Sequence, residues 1–401
     1  MKRAAIALGL ALALAAGWWA GRAGVGDPGT LRVRVETTPV GGLGPPVEES
    51  LPPLAPAPVR NVVLLIADGL GVAQVSAAAV RAFGLEGRFL FERLPVVGLV
   101  DIGAADAPAA DSANSATAFA TGVKTTSGRI GTDRDGRSLP TVLEAARAAG
   151  RVAGLVTTSQ IWDATPAAFA THVARRRDID AIVGQLADSG VELLAGGGVD
   201  RFTAGGRDRL AEARARGVTV ATTPAELAAA DRLPLWALFH GKRLGESPKR
   251  PTVGELAAKA IELLAAEAAR RGTGFFLLVE EEGIDTGAHA RDLERTAAAL
   301  VRFDRAVAAA VRFAAADGAT LVVVVGDHAT GGLVIDQGST TERLRVIWGN
   351  DRHSGEHVPL YAYGPGPAAS AFAGTLDNTE VAHRLAAALG LELGAGARNV
   401  P

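Results

Sequence analysis

The sequence predicts an α/β fold in which a central, mostly parallel sheet carries helices on both faces. Apolar runs of strand length, rich in branched residues, alternate along the chain with alanine-rich stretches of helical length. Acidic residues and histidines stand directly after several of these runs, where open α/β sheets bind their ligands. With 401 residues, the chain is long enough for one large domain or two ordinary ones.

The start of the chain predicts export. A basic N-terminus precedes an apolar run at 4–20, which is the pattern of a secretory signal. The run is just long enough for an uncleaved membrane anchor, and Trp18 and Trp19 at its outer end would suit a membrane interface. We interpret residues 1–23 as a signal peptide or an N-terminal anchor. We expect a periplasmic or secreted protein, with a membrane tether as the alternative.

Residues 24–58 are rich in proline and glycine, so we expect a linker or a surface arm without a core of its own. The folded domain is predicted to cover 59–401. Within it, the predicted strands are 61–67, 151–157, 275–279, 321–326 and 358–363. The predicted helices are 72–83, 139–149, 253–270 and 293–316.

Composition excludes several classes of function. The formal net charge is −2, so there is no basic excess and nothing indicates nucleic-acid binding. The chain has no cysteine, which excludes disulfides and thiolate zinc sites. Any metal must therefore be held by histidine, carboxylate and threonine side chains, and only seven histidines are available.

Residues of the types that bind metals follow four of the predicted strands. In chain order they are Asp68, Asp163, Thr165, Glu280, Asp285, His289, Asp327 and His328. The carboxyl ends of neighbouring parallel strands meet at one edge of a sheet, so we expect these side chains to converge. Any one of these clusters could be a polar loop cap, but their recurrence at four strand ends favours a ligand site.

The ligand types divide into three sets. Two sets contain imidazole, which suits zinc: Asp285 with His289 and His353, and Asp68 with Asp327 and His328. The third set has oxygen ligands alone, which suits magnesium: Asp68, Thr165 and Glu280, with Asp163 placed to hold a metal-bound water. The other four histidines lack carboxylates at ligand spacing, and we interpret them as surface or core residues: His172, His240, His357 and His383.

Ser112 stands between Asp111 and a run of small residues that predicts the first turns of a helix. Small side chains and free N–H groups at a helix N-terminus let an anion approach, so Ser112 is a candidate nucleophile if something lowers its pKa. Taken alone, the motif favours a simpler interpretation, in which Ser112 caps an alanine-rich helix.

Six blocks in the same order resemble the alkaline phosphatase family over nearly all of the chain from 61 to about 391. They are 64–71, Asp111-Ser112-Ala113, 163–167, 280–289, Asp327-His328 and 353–355. The resemblance implies hydrolysis of small phosphate monoesters through a phosphorylated serine, with two zinc ions and one magnesium ion. By position, Ser112 would be the nucleophile. Arg176, thirteen residues after Asp163, would bind the phosphate, and Asp111 would orient its guanidinium. Neighbouring Arg175 and Arg177 leave that register open by one residue.

Among the chain's departures from the family pattern, three stand next to the ligand residues. Glu281 and Glu282 stand where relatives usually carry glycine or small residues, and we interpret them as facing solvent. Thr286 stands where some relatives carry a lysine or histidine that reaches the phosphate or the third metal. Only twenty-four residues separate His328 from His353, whereas many relatives insert a longer lobe there that serves dimer contacts. The short insertion leaves a homodimer open.

Three rival functions share parts of this pattern. A phosphodiesterase of the same superfamily is the nearest rival, but it usually lacks the oxygen-only third set, so Glu280 and Thr165 favour monoesters. A sulfatase needs an oxidised cysteine or serine in a different motif. A phosphate-binding protein without catalysis would lack the nucleophile or metal ligands, and none is missing.

Overall fold

A ten-stranded sheet runs through the centre of the protein. The computed structural model describes residues 33–393, so the predicted signal peptide or anchor lies outside the described residues. The strands are β1 (Arg34–Pro39), β2 (Asn61–Ala67), β3 (Val96–Asp101), β4 (Val152–Gln160), β5 (Leu193–Gly197), β6 (Thr219–Ala221), β7 (Leu235–Leu238), β8 (Phe275–Glu281), β9 (Thr320–Gly326), β10 (Ala329–Thr330), β11 (Leu333–Ile335), β12 (Arg343–Trp348), β13 (His353–Ser354), β14 (Val358–Tyr363) and β15 (Gly374–Asp377).

Twelve α-helices accompany these strands in the described part of the chain. They are α1 (Val72–Phe83), α2 (Ser112–Thr121), α3 (Val142–Ala148), α4 (Ala164–Ala168), α5 (Ile179–Asp188), α6 (Arg209–Ala215), α7 (Pro224–Ala229), α8 (Val253–Arg271), α9 (Gly283–His289), α10 (Leu293–Asp317), α11 (Gly366–Ser370) and α12 (Asn378–Ala388). Within residues 33–393, none of the helices combines the length and the apolarity needed to cross a membrane.

The central sheet has the strand order β15-β3-β14-β9-β2-β8-β4-β5-β7-β6. Strand β14 runs antiparallel to both of its neighbours, β3 and β9, whereas the other pairings are parallel. This confirms the predicted mostly parallel sheet. The strands nearest its middle, β9, β2, β8 and β4, are the ones that the sequence identified as carrying ligand residues at their ends.

Helices cover both faces of the sheet because the central strands are apolar on both sides. Successive residues of β2 enter different core clusters, as Leu64 and Leu65 do, and both side chains are fully buried. The cluster that contains Leu64 is completed by α2, α3, α5 and α12. The cluster that contains Leu65 is completed by α1, α8 and α10.

The predicted strands and helices of the domain are present, with bounds that shift by a few residues. The strand predicted at 275–279 continues to Glu281, and the one predicted at 151–157 continues to Gln160. In β8 the extension reflects pairing with β2, which continues through Glu280 and Glu281 after the apolar run has ended. Strand pairing therefore carries acidic residues into the buried edge of the sheet.

The proline- and glycine-rich segment at 24–58 contains a strand that its composition did not indicate. Strand β1 pairs antiparallel with β12 in a three-stranded sheet of order β1-β12-β11. Further along the segment, Leu43 and Leu54 pack against the core cluster that contains α1, α8 and α10. The guanidinium of Arg81 on α1 donates a hydrogen bond to the Gly41 carbonyl. The described part of this segment therefore lies against the domain as an arm.

Candidate active site

Three adjacent strands bring acidic residues to one edge of the central sheet. Ala67 of β2 is in register with Glu281 of β8 and with Gly326 of β9. Asp68 and Asp327 follow those two paired positions directly, while Glu280 lies at the end of β8. Parallel pairing thus brings together residues more than 200 positions apart in the sequence.

Asp68, Asp327 and His328 form the first imidazole-containing set. The His328 Nε2 atom lies 3.4 Å from Asp68 Oδ1 and 3.4 Å from Asp327 Oδ2, and all three side chains are buried. Asp327 Oδ1 accepts hydrogen bonds from the backbone N–H groups of Gly69 and His328. Asp68 Oδ1 and Asp327 Oδ2, in contrast, have no hydrogen-bond partner among residues 33–393.

Asp285, His289 and His353 form the second set. His289 Nε2 lies 3.2 Å from Asp285 Oδ2 and 3.2 Å from His353 Nε2, and His353 Nε2 lies 3.8 Å from Asp285 Oδ1. The Nδ1 atom of each histidine is bound to a backbone carbonyl, that of Asp351 for His289 and that of Ala110 for His353. These bonds turn both Nε2 atoms toward one point, as outer partners of metal-binding histidines do.

Both sets fit a tetrahedral zinc ion. Zinc–nitrogen and zinc–oxygen bonds of about 2.0–2.1 Å at tetrahedral angles place ligand atoms roughly 3.3 Å apart. The observed separations of 3.2 to 3.8 Å lie close to that value. In the described part of the chain, these two sets are the groups of three or more histidines and carboxylates whose ligand atoms all lie within 4.8 Å.

The electrostatics of the edge also favour cations. Burial raises the pKa of Asp68 well above its usual value, and the nearby carboxylates of Asp327 and Asp285 raise it further. Burial likewise raises the pKa of Asp327 to about 7 and that of Glu280 to about 8. Burial, with the neighbouring His353, lowers the pKa of His328 to about 3, so this imidazole is neutral and able to bind a metal.

The oxygen-only set is close to the first set, because the Glu280 carboxylate helps to raise the pKa of Asp68. The Glu280 carboxylate is buried and accepts a hydrogen bond of 2.5 Å from the Thr157 hydroxyl of neighbouring β4. The buried Thr165 hydroxyl, at the start of short helix α4, is near enough to Glu280 to lower the pKa of that carboxyl, but it has no partner of strict hydrogen-bond geometry within residues 33–393. Hard oxygen donors with unused lone pairs are suitable ligands for magnesium.

Asp163 makes contacts that the sequence did not indicate. Its Oδ1 accepts a hydrogen bond of 2.9 Å from the Arg176 guanidinium, and its Oδ2 accepts one of 2.7 Å from the Ser159 hydroxyl. The carboxylate that binds the guanidinium directly is therefore Asp163, and the prediction that Asp111 orients it directly is wrong. Asp111 accepts a hydrogen bond from the Gly128 N–H, and the Gly128 carbonyl accepts one from the Arg176 N–H. Asp111 thus reaches Arg176 through the backbone.

The structure distinguishes the three neighbouring arginines. Arg175 is 77% exposed at its side chain and pairs with Asp178 at 2.9 Å, and Arg177 is also exposed. The Arg176 side chain is 33% exposed and is paired with Asp163 at 2.9 Å. Arg176 is thus the arginine of the three that is bound to a residue of the site.

Ser112 is the first residue of α2, and it is not the N-cap. The cap is Asp111, which forms a capping box with Asn114. The simpler interpretation of Ser112 as a capping residue is therefore wrong, because Asp111 supplies the acceptor. Ser112 Oγ instead lies 3.3 Å from His328 Nε2, against the first set. Nearby Ser115 is turned away, since its hydroxyl donates to the Asp327 carbonyl at 2.7 Å.

Glu281 does not face solvent and Glu282 does so only in part, so the solvent-facing interpretation is wrong for Glu281. Glu281 is fully buried, and burial raises its pKa to about 7. Glu282 is half-buried, and its carboxylate accepts a hydrogen bond from the Thr286 hydroxyl. The physical reason is the extension of β8, since alternation along a strand turns Glu280 and Glu281 toward opposite faces of a covered sheet.

The remaining histidines lie outside both sets. His172 Nε2 is 2.9 Å from Glu144, and His240 Nδ1 is 2.8 Å from Asp200. His357 and His383 are exposed. Sequence spacing did not indicate the carboxylate partners of the first two, because they come from other elements.

Comparison with known proteins points to one family. The family model described as alkaline phosphatase matches residues 59–343 and 335–391. The chain is 34% identical over 416 aligned residues to streptomycin-6-phosphate phosphatase of Streptomyces griseus, an alignment that covers 84% of this chain and 92% of the relative. It is 32% identical to an alkaline phosphatase of Escherichia fergusonii, with 84% and 87% covered.

The fold is also similar to solved structures. Alkaline phosphatase from the Antarctic bacterium TAB5 matches with a TM-score of 0.76 and 28% identity, over 84% of this chain and 99% of that one. A variant of the TAB5 enzyme has magnesium bound in its M3 site.

Proposed function

This chain belongs to the alkaline phosphatase family and is a phosphatase, and we propose that it hydrolyses phosphate monoesters through a phosphoserine formed on Ser112. One observation carries the proposal. Ser112 Oγ lies 3.3 Å from His328 Nε2, in contact with a buried ligand set that has unused carboxylate oxygens. The His328 and His353 rings stack with centroids 3.6 Å apart, which places the second set directly beside the first.

Three cations would complete the site. Zinc would be held by Asp68, Asp327 and His328 and by Asp285, His289 and His353, and magnesium by Asp68, Thr165 and Glu280 with Asp163 beside them. When bound, such ions stabilise charge on a transferring phosphoryl group and lower the pKa of a neighbouring hydroxyl.

Ser112 would act as the nucleophile. The Ser112 hydroxyl releases its proton to solvent and its oxygen forms the new bond to phosphorus. The ester oxygen leaves on the opposite side and takes up a proton from solvent to become an alcohol. Water then attacks the phosphoserine, releasing inorganic phosphate and restoring the Ser112 hydroxyl. Ser112 begins a ten-residue helix, so the helix dipole at this end also favours the anionic substrate.

Arg176 would hold two phosphoryl oxygens in the fork of its guanidinium. Asp163 fixes one edge of that fork, and the bond from the Arg176 N–H to the Gly128 carbonyl fixes the backbone. Asp111 in turn holds Gly128 through its N–H, at 2.7 Å. The arginine is therefore oriented before substrate arrives, which lowers the entropy cost of binding.

The N-terminal sequence further supports export, with the catalytic domain acting outside the cytoplasm. A phosphodiesterase remains the alternative activity. The buried oxygens of Glu280 and Thr165 support the monoesterase, because they supply the third cation set.

The test uses the full chain loaded with zinc and magnesium. It should hydrolyse p-nitrophenyl phosphate much faster than bis(p-nitrophenyl) phosphate. Acid quenching during turnover should leave phosphate on Ser112, read by mass spectrometry. Ser112→Ala should abolish this labelling with metal content retained. The matched control Ser115→Ala should keep it while losing about 1 kcal/mol of stability, since it removes one buried hydrogen bond. Label on Ser115, or preference for the diester, would refute the proposal.

A further inference from the structure

A buried polar network lies beneath the first turn of α9, the helix that carries Asp285 and His289. Glu281 Oε1 accepts hydrogen bonds from the Gly283 N–H at 3.0 Å and from the Thr158 hydroxyl at 3.2 Å. The Thr158 oxygen in turn accepts a hydrogen bond from the Glu282 N–H at 2.9 Å. Two N–H groups at the start of the helix are thus satisfied by side chains that belong to the sheet.

This network replaces an ordinary helix cap. Glu282 occupies the N-cap position in a helical conformation, and its carboxylate binds the Thr286 hydroxyl. Glu281 comes from the end of β8 and Thr158 from β4, so the cap joins α9 to two central strands. A carboxylate at this end of the helix is also favoured by the helix dipole.

The surroundings of Glu281 supply an opposite charge and leave room for its carboxylate. Arg302 on α10 places its Nη2 atom 3.9 Å from Glu281 Oε1, and the Arg302 side chain is only 16% exposed. Breaking such a buried pair is expensive, because one charge is left without compensation. At position 283, a Cβ atom would lie 2.6 Å from Glu281 Oε1 and 3.2 Å from Ala299 Cβ. Glycine there admits the carboxylate.

A helix of seven residues depends on such anchors. Short helices have little stability of their own, so packing and caps decide where they lie. The far end of α9 is held by the hydrogen bond from His289 Nδ1 to the Asp351 carbonyl. The near end is held by Glu281 and Thr158. Asp285 lies between these two anchors, and His289 forms the far one.

We propose that Glu281 is a positioning residue for the second ligand set. It fixes the start of α9, and so the direction from which Asp285 and His289 meet His353. The inference rests on the proposed function, since it assumes that this set binds zinc. It adds a residue that touches neither the metal nor the substrate.

Zinc titration of the metal-free full chain against a chromogenic chelator tests the proposal. Glu281→Ala should weaken one of two zinc equivalents by about 10- to 100-fold, the usual effect of losing an outer partner of metal ligands. The other equivalent should be unchanged. Glu281→Gln keeps the acceptor for the Gly283 N–H but loses the charge, so its loss should be smaller. The Glu281→Gln variant also tests the proposal if Glu281→Ala does not fold.

Asp304→Ala is the matched control. Asp304 is another buried carboxylate, on α10 two residues after Arg302. It accepts hydrogen bonds from the Leu90 and Phe91 N–H groups, away from the ligand sets. Its loss should lower the free energy of unfolding while both zinc equivalents keep their affinity. Equal weakening of zinc in this variant would show that general destabilisation explains the Glu281 result, and the proposal would be wrong.

A second background identifies the affected set. In His289→Ala, which disables the second set, adding Glu281→Ala should leave the remaining zinc equivalent unchanged. Further weakening there, or two wild-type affinities in Glu281→Ala alone, would overturn the positioning role. If the wild-type protein binds zinc and cleaves monoesters, either of these results would refute the role of Glu281 and leave the proposed function standing. A wild-type protein that does neither would refute the proposed function and this inference together.

Discussion

Replacing Arg176 with alanine should weaken inhibition by inorganic phosphate roughly 30- to 150-fold, because the guanidinium supplies two charge-assisted hydrogen bonds. Hydrogen bonds to charged groups contribute about 1.5–3 kcal/mol each. The Arg176 side chain is 33% exposed, so solvent screens part of that gain. We therefore assign about 2–3 kcal/mol to the pair, at about 1.4 kcal/mol for each tenfold change in affinity. Stability should change little, because Asp163 keeps its hydrogen bonds from Ala164 and Ser159.

The assay is the inhibition constant of phosphate against turnover of p-nitrophenyl phosphate by the metal-loaded enzyme. Arg176→Lys should fall between alanine and wild type, since lysine keeps the charge but loses the fork. Arg175→Ala is the matched control, and it should leave the constant unchanged because Arg175 is 77% exposed and pairs with Asp178. A larger effect of Arg175→Ala or Arg177→Ala than of Arg176→Ala would refute the assignment.

Three other outcomes follow from the structure. Glu280→Gln should weaken activation by magnesium at fixed zinc without emptying the zinc sets, since Glu280 belongs to the oxygen-only set; loss of zinc in a metal analysis would contradict this. Burial raises the folded-state pKa of Asp304 to about 7, above an unfolded value of about 3.9. The contribution of Asp304 to the free energy of unfolding is therefore greatest at low pH, and it is lost as the pH rises through about 7. Asp304→Asn should remove a slope of up to about 1.4 kcal/mol per pH unit in urea unfolding of the metal-free protein, and an unaltered slope would show that Asp304 does not titrate there. Gly287→Ala should destabilise the protein by about 1–3 kcal/mol in the same unfolding assay, because the added Cβ would lie 2.6 Å from Thr296 Oγ1; wild-type stability would show that α9 can shift.

The ligand sets could be predicted from sequence because their positions follow from local rules. Asp68 and Asp327 each follow an apolar run, and parallel pairing of β2 with β9 places such residues side by side. Asp285 and His289 are four residues apart, so one helix face carries both. Once the strands were identified, convergence of these side chains required no knowledge of loop conformation.

The contacts that the sequence did not indicate depend on tertiary structure. The Arg176–Asp163 ion pair depends on how the loop at 127–131 holds the Arg176 backbone. Burial of Glu281 depends on pairing of β8 beyond its apolar run, which hydrophobicity alone does not report. Strand β1 is stabilised by pairing with β12, whose residues lie about 300 positions later in the chain.

The buried carboxylates at this edge would couple the proposed metal binding to folding. Asp68, Glu280 and Asp327 are each nearly or fully buried, and burial raises the pKa of each of them. A buried carboxylate that no cation neutralises is stabilised by binding a proton. One proton does not supply a hydrogen bond to every carboxylate oxygen, and Asp68 Oδ1 and Asp327 Oδ2 have no hydrogen-bond partner within residues 33–393. Divalent cations would neutralise several carboxylates at once and occupy those lone pairs. The burial that makes these carboxylates costly would therefore supply free energy for the proposed metal binding.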